Sequence, residues 1–196
     1  MLDARDFTAR PVLSGTHVRL EPLAPEHAQA LLAAADDDEV FRWLTFLRPR
    51  TLADADAMVS RYLDGPAVPW VQVDATTGDV LGMTAFYDVD PAMRTVAIGW
   101  TWLARRAWRS GVNTEAKLLL MRRAFDDLGC VRVVWHTDAR NERSQAAIAR
   151  LGARREGVLR KHRLRPDGSW RDTVTFSMLD DEWPAARAAL ESRLTR

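Results

Sequence analysis

The stretch TWLARRAWRSGVNTEAK, residues 101–117, decides how this chain is read. Its first residues end an apolar run that begins at Thr95 (TVAIGWTWL), which predicts a buried strand. Ser110 and Gly111 then lead into a helix. From Asn113 onward Leu118, Met121, Phe125 and Leu128 recur on one face, and Gly129 suits the helix end. Strand, short loop and helix together present free backbone N–H groups at a helix N-terminus, where the helix dipole favours an anion. Arg109, Ser110, Gly111, Val112, Asn113 and Thr114 are the candidate phosphate cradle, with Gly111 letting the backbone approach closely. The loop is neither a G-x-x-x-x-G-K-[ST] loop nor a G-x-G-x-x-G fingerprint. A helix start without a ligand explains the same residues, so both readings stand on this stretch alone.

Outward from it, the chain alternates strands and helices. His17–Leu23 predicts a strand and Pro25 to about Ala35 a helix with Pro in its first turn; the acidic run Asp36–Glu39 predicts a loop. Thr51 caps a helix to about Leu63, stopped by Gly65-Pro66. Val68–Val73 and Val80–Tyr87 predict a hairpin around Gly78-Asp79. After the Asn113–Leu128 helix come a strand at Val131–Thr137 and a helix at Asn141–Leu151, closed by Gly152. Two strands near Arg154–Leu164 and Arg171–Leu179 flank the Pro166-Asp167-Gly168 turn, and Trp183–Leu194 predicts a terminal helix. The order β-α-α-β-β-β-α-β-α-β-β plus that helix is mixed α/β, with no internal linker and no repeat.

Composition bounds the function classes. The 196 residues fit one ordinary domain, 47% hydrophobic and 28% charged, which is a soluble balance. One cysteine, Cys130, forbids an intrachain disulfide, and with four histidines it argues against a structural zinc site, so no metal is expected. No apolar run approaches the roughly 20 residues of a membrane helix, and MLDARDFTAR carries no secretory signal, so a cytoplasmic location is expected. The net charge of +1 hides an asymmetry: residues 104–165 hold 16 Arg/Lys against 6 Asp/Glu, and the rest 12 against 21. A basic middle suggests a polyanionic ligand, either nucleic acid or a phosphate-bearing cofactor. No RRM, zinc-finger or KH signature supports the first, so no nucleic acid is expected.

Three segments, AIGWTWLARRAWRSGVNTEAK, VRVVWHTDARNERSQAAIARLGA and REGVLRKHRLRPDGSWRDTVTFSML, resemble the GNAT superfamily of coenzyme A-dependent N-acyltransferases. The likeness is to its RimJ/RimL-type branch, the ribosomal-protein-alanine N-acetyltransferase relatives. It runs from about Ser14 to Trp183. It implies a single GNAT-like domain over 1–196, with a core at about 14–183 and a C-terminal helix at about 183–194. The implied architecture is a mixed α+β fold: a mostly antiparallel twisted sheet of about six or seven strands with a parallel splayed pair, flanked by helices. The family's [Q/R]-x-x-G-x-[G/A] pyrophosphate loop corresponds to Trp108-Arg109-Ser110-Gly111-Val112-Asn113, with Asn113 as its departure.

The resemblance further implies acyl transfer from acetyl-CoA, or another acyl-CoA, directly to an amine. Backbone N–H groups around Trp102, Leu103 and Ala104 would hold the oxyanion. Asn141 would bond the pantetheine arm and Ser144 would sit near the sulfur; capping of the next helix is the alternative for Asn141. The tyrosine many relatives use as acid is replaced by Ile148, and the glutamate they use as base by Ala97, which leaves Ser144 as candidate acid and His136 as candidate base. A water, His162, Asp88 and Glu21 are the other base candidates. Trp100 and Trp102 either wall the acceptor pocket or fill the core. The acidic N-terminal region either attracts a cationic acceptor or is simply solvated. The acceptor is a protein N-terminus or a small amine, the oligomer a monomer or homodimer. A succinyl transferase and a non-catalytic acyl-CoA-binding module are the alternatives.

Overall fold

The computed structural model describes residues 4–195. Five strands pair antiparallel in chain order: β1 (Leu13–Ser14), β2 (Val18–Pro22), β3 (Val68–Asp74), β4 (Val80–Asp90) and β5 (Thr95–Leu103). β6 (Arg132–Asp138) joins β5 in parallel, and of β7 (Arg154–Leu164) and β8 (Trp170–Leu179) it is β8 that pairs with β6. One eight-stranded sheet results, slightly wider than the six or seven strands expected. The extra strand is β1, whose two residues are too few to show an alternating pattern. The helices among the described residues are α1 (Ala4–Thr8), α2 (Ala28–Ala34), α3 (Asp38–Phe41), α4 (Leu52–Leu63), α5 (Val112–Arg122), α6 (Glu142–Arg150) and α7 (Trp183–Leu194).

Local chemistry sets the element ends. Thr51 caps α4 by accepting the Asp54 amide at 3.1 Å, and the Asp54 carboxylate accepts the Thr51 amide at 2.9 Å in return. Pro25 starts a short 3₁₀ turn that feeds α2. The expected loop at Asp36–Glu39 is half helix instead: Asp37 accepts the Glu39 amide and so starts α3. The expected Asn113–Leu128 helix is α-helical only to Arg122 and widens into a π turn over Arg123–Asp127.

The two sheet faces are covered unequally. On one face α5, α6 and α7 pack over both halves of the sheet, burying Leu120, Met121 and Leu190 against Val18, Ile98, Val133, Phe176 and Met178. On the other face α2 and α4 cover only the first half, packing Leu31, Val59 and Tyr62 on Val71, Met83 and Trp102. Among the described residues, no helix covers that face over β6 and β8.

Between the halves the sheet splits. The parallel pairing of β5 and β6 lasts three residue pairs, ending at Ala97↔Val134. Opposite, the β4–β5 register jumps from Ala85↔Gly99 to Met83↔Trp102, so Thr84 faces both Trp100 and Thr101. This is a β-bulge, and Trp100 takes the left-handed φ of 51° that it requires. The bulge bends the end of β5 away from β6 and opens a wedge between them.

Candidate active site

The outer end of the wedge is built by the loop before α5. Ser110 Oγ donates to the Ala107 carbonyl at 2.7 Å and accepts the Val112 amide at 3.3 Å, which fixes the turn. No side chain caps α5, and the amides of Asn113 and Thr114 have no acceptor among the described residues. They face a cavity of about 370 Å³ lined by Ser110, Gly111, Asn113 and Thr114, by Arg150 of α6 and by Arg193 of α7. Arg109 is exposed beside it with φ 62°. Gly111 has ordinary helical backbone angles. What its missing side chain admits is the ring of His17, whose Cδ2 would lie 2.8 Å from a Cβ there. The loop and the free amides expected from the sequence are in place, but Gly111 is required there for packing against His17.

The inner end is the bulge. Of the three backbone amides expected to hold an oxyanion, Ala104 is excluded, because its N–H donates to the Leu81 carbonyl at 2.7 Å. Amides of successive strand residues point to opposite edges. The Leu103 N–H therefore points away from β4 and into the wedge. The Trp108 indole donates to the Leu103 carbonyl at 2.9 Å, and Arg143 of α6 lies 3.7 Å over the Trp108 ring, so the loop and α6 touch across the gap.

His136 stands two residues beyond the last β5–β6 pair, on the uncovered face. Its Nδ1 is 2.9 Å from the Tyr87 hydroxyl, and Nε2 has no protein partner among the described residues. Tyr87 stacks on Trp100 at 5.7 Å, and His162, brought over by an irregular stretch of β7, lies 5.9 Å from His136. Burial holds the His136 imidazole below its usual pKa; Asp88 opposes this, and His162, Arg163 and Arg171 add to it. The two tryptophans expected together divide the roles: Trp102 is buried against Phe41, and Trp100 lines the open face. A small hollow of about 130 Å³ beside His136 is floored by Ala97 and Val134.

At the start of α6, Asn141 is a cap: its side-chain oxygen accepts the Ser144 amide at 3.0 Å. Its amide NH₂ and the Ser144 hydroxyl have no protein partner among the described residues. Capping and ligand binding are compatible there.

The family model of the acetyltransferase (GNAT) domain matches residues 17–154. The chain belongs to the GNAT family. This GNAT chain is 42% identical to a solved structure from T. thermophilus, provisionally named an acetyltransferase, with 95% of this chain and 98% of that one covered at a TM-score of 0.88. A GCN5-related N-acetyltransferase from Brucella melitensis is 34% identical over 95% of this chain and 86% of its own, with a TM-score of 0.91. A Bacillus subtilis (strain 168) protein, YdaF, that carries the provisional name of a ribosomal N-acetyltransferase is 27% identical over 85% of this chain and 93% of its own. The chain is an N-acetyltransferase of the RimJ/RimL-like branch, with an acyl-CoA as cosubstrate.

Two residues of this GNAT site escape a reading of residues 101–117 by motif. Glu115, 6% exposed, accepts the amides of Thr16, His17 and Val18 at 2.6 to 2.8 Å and ties the β1–β2 turn to α5. Lys117 is buried beneath the bulge. The signal for Lys117 was phase: it lies four, seven and eleven residues before Met121, Ala124 and Leu128, on the apolar face. The acidic run is also accounted for. Asp36, Asp37 and Asp38 pair with Arg106, Arg105 and the Arg48/Arg50 couple, so these carboxylates are engaged within the chain. No group of metal-binding side chains and no helix long and apolar enough to cross a membrane occurs among the described residues.

Proposed function

We propose that this acetyltransferase moves an acetyl group from acetyl-CoA directly to the N-terminal amine of a protein, with His136 as the base. The observation that carries the reading is the position of His136, on the uncovered face where β5 has just left β6. The ribosomal name of the Bacillus subtilis relative supports a protein N-terminus as acceptor.

The residues present fit the cosubstrate. The cavity at α5 offers two free amides with Arg150 and Arg193 for phosphates, and the wedge leads from it toward the bulge. Acetyl-CoA, when bound, supplies the activated thioester. Asn141 donates its side-chain NH₂ into the wedge. The Leu103 N–H donates to the carbonyl oxygen as negative charge gathers on it. With Nδ1–H of His136 donating to the Tyr87 oxygen, the lone pair on Nε2 takes the proton that the amine must lose. The lowered imidazole pKa keeps that lone pair free at neutral pH. The Ser144 hydroxyl is the hydrogen-bond donor assigned to the sulfur.

A second reading, transfer of an acyl chain ending in a carboxylate, is favoured by Arg171. This guanidinium is buried, its Nε has no hydrogen-bond partner among the described residues, and Asp138, 3.9 Å away, is already held by Arg165.

The test is release of free CoA thiol from acetyl-CoA and from succinyl-CoA, with alanine- and serine-terminated peptides and small amines as acceptors. Cys130 adds no background, because it is buried and its thiol is pushed up to about 12. Expected is turnover of acetyl-CoA with free N-termini and none with blocked ones. Preference for succinyl-CoA would support the second reading. Binding without turnover on any acceptor would overturn both.

A further inference from the structure

A lysine amine is among the most costly groups to bury without an anion beside it. Lys117 is buried on α5, and no carboxylate of the described residues pairs with it. Its Nζ donates instead to two hydroxyls, Thr101 Oγ1 at 2.5 Å and Thr84 Oγ1 at 3.2 Å. Those hydroxyls are 2.8 Å apart, and Thr101 also donates to the Gly99 carbonyl at 3.3 Å. Each hydroxyl has a place for its one proton. Thr84 accepts from Lys117 and donates to Thr101; Thr101 accepts from both and donates to Gly99.

These are the participants of the bulge. Gly99 and Thr101 flank Trp100 on β5, and Thr84 is the β4 residue that faces the extra one. The network thus fastens the bulge to the helix whose first turn makes the phosphate cradle. On one side of the bulge lies the Leu103 amide; on the other, Trp100 stacks on Tyr87, whose hydroxyl meets His136. A backbone held at the left-handed φ of Trp100 relaxes unless its surroundings over-determine it.

We infer that Lys117 is a positioning residue for acetyl transfer: through Thr101 and Thr84 it holds the β5 bulge in the shape that aims the Leu103 amide and seats the Trp100–Tyr87–His136 wall. It touches neither substrate. The inference rests on the proposed reading of His136 and Leu103.

Lys117→Met keeps the length and removes the amine. Because it also removes a buried amine with no anion beside it, the variant is expected to melt at the same temperature as the wild type or higher. Affinity for acetyl-CoA, measured by calorimetry, is expected to be unchanged. The kcat for a peptide acceptor is expected to fall on the order of 100-fold, the size of a misplacement of about 1 Å. Thr101→Val, which deletes only the hydroxyl, is expected to do the same, and the double variant to be no worse than the worse single. Amide exchange at residues 99–103 is expected to quicken in both variants while β6 is unchanged.

Wild-type kcat in either folded variant, or unchanged exchange at 99–103, overturns the inference. If Lys117→Met does not fold, Thr101→Val decides alone. A wild type that transfers acetyl to no acceptor would instead overturn the functional reading, and the exchange measurement still judges the role of Lys117.

Discussion

At the scale of single residues, the proposed site leaves selected groups unpaired among the described residues: two amides of α5, the Leu103 N–H, the Ser144 hydroxyl and Nε2 of His136. For His136 the consequence is a pH dependence. Its folded-state pKa is depressed by burial, so protonation on the acid side both removes the proposed base and opposes folding. His162 is depressed for the same first reason. Their contribution to stability is present above the ordinary histidine value of 6.5 and is lost as pH falls below it. The acid limb of kcat/KM is expected below pH 6.5, and His136→Gln is expected to lower kcat by about 10²- to 10⁴-fold and to abolish that limb. A limb that survives in the variant would assign the base elsewhere. The candidates His136, Ser144 and Asn141 can be picked from the sequence because their residue types carry chemistry. Lys117 and Glu115 cannot. Each acts through the partner it holds in place, and those partners, Thr84 and Thr16–Val18, lie 33 residues and nearly 100 residues away.

At the scale of elements, α5 has three attachments within its first six residues: amides toward the cavity, Glu115 toward the β1–β2 turn and Lys117 toward the bulge. A carboxylate accepting three backbone N–H groups cannot be matched by an amide, which has one acceptor oxygen. Glu115→Gln is therefore expected to cost about 1–3 kcal/mol. A urea titration would show it, together with faster exchange at the amides of residues 16–18. An unchanged midpoint would mean that the turn holds itself. The sequence disclosed elements where the cause is local. The α4 capping box spans four residues, and α4 was read correctly from Thr51 to Leu63. It failed where the cause is distant. The bulge is invisible in TVAIGWTWL, because its trigger is the register of β4, and the π turn hides inside an unbroken apolar stripe.

At the scale of the whole molecule, the charge asymmetry resolves into neighbours: part of the acidic N-terminal excess lies on part of the basic middle, through Asp36–Arg106 and Asp37–Arg105. Both pairs are exposed, so they contribute little to stability, and their role is to hold the loop before α5 against α3. The two halves of the sheet share one core through α5 but only three residue pairs of ladder. The short ladder is therefore expected to act as a weak seam between two units that open separately. Amides of β6 and β8 are expected to open to exchange separately from those of β3 and β4 in the free chain, and together with them once CoA is bound. One common opening free energy in the free chain would deny the seam. On the proposed reading, the wedge assigned to the cosubstrate is also the place where the fold is least finished, and ligand binding is expected to act as its last step of folding.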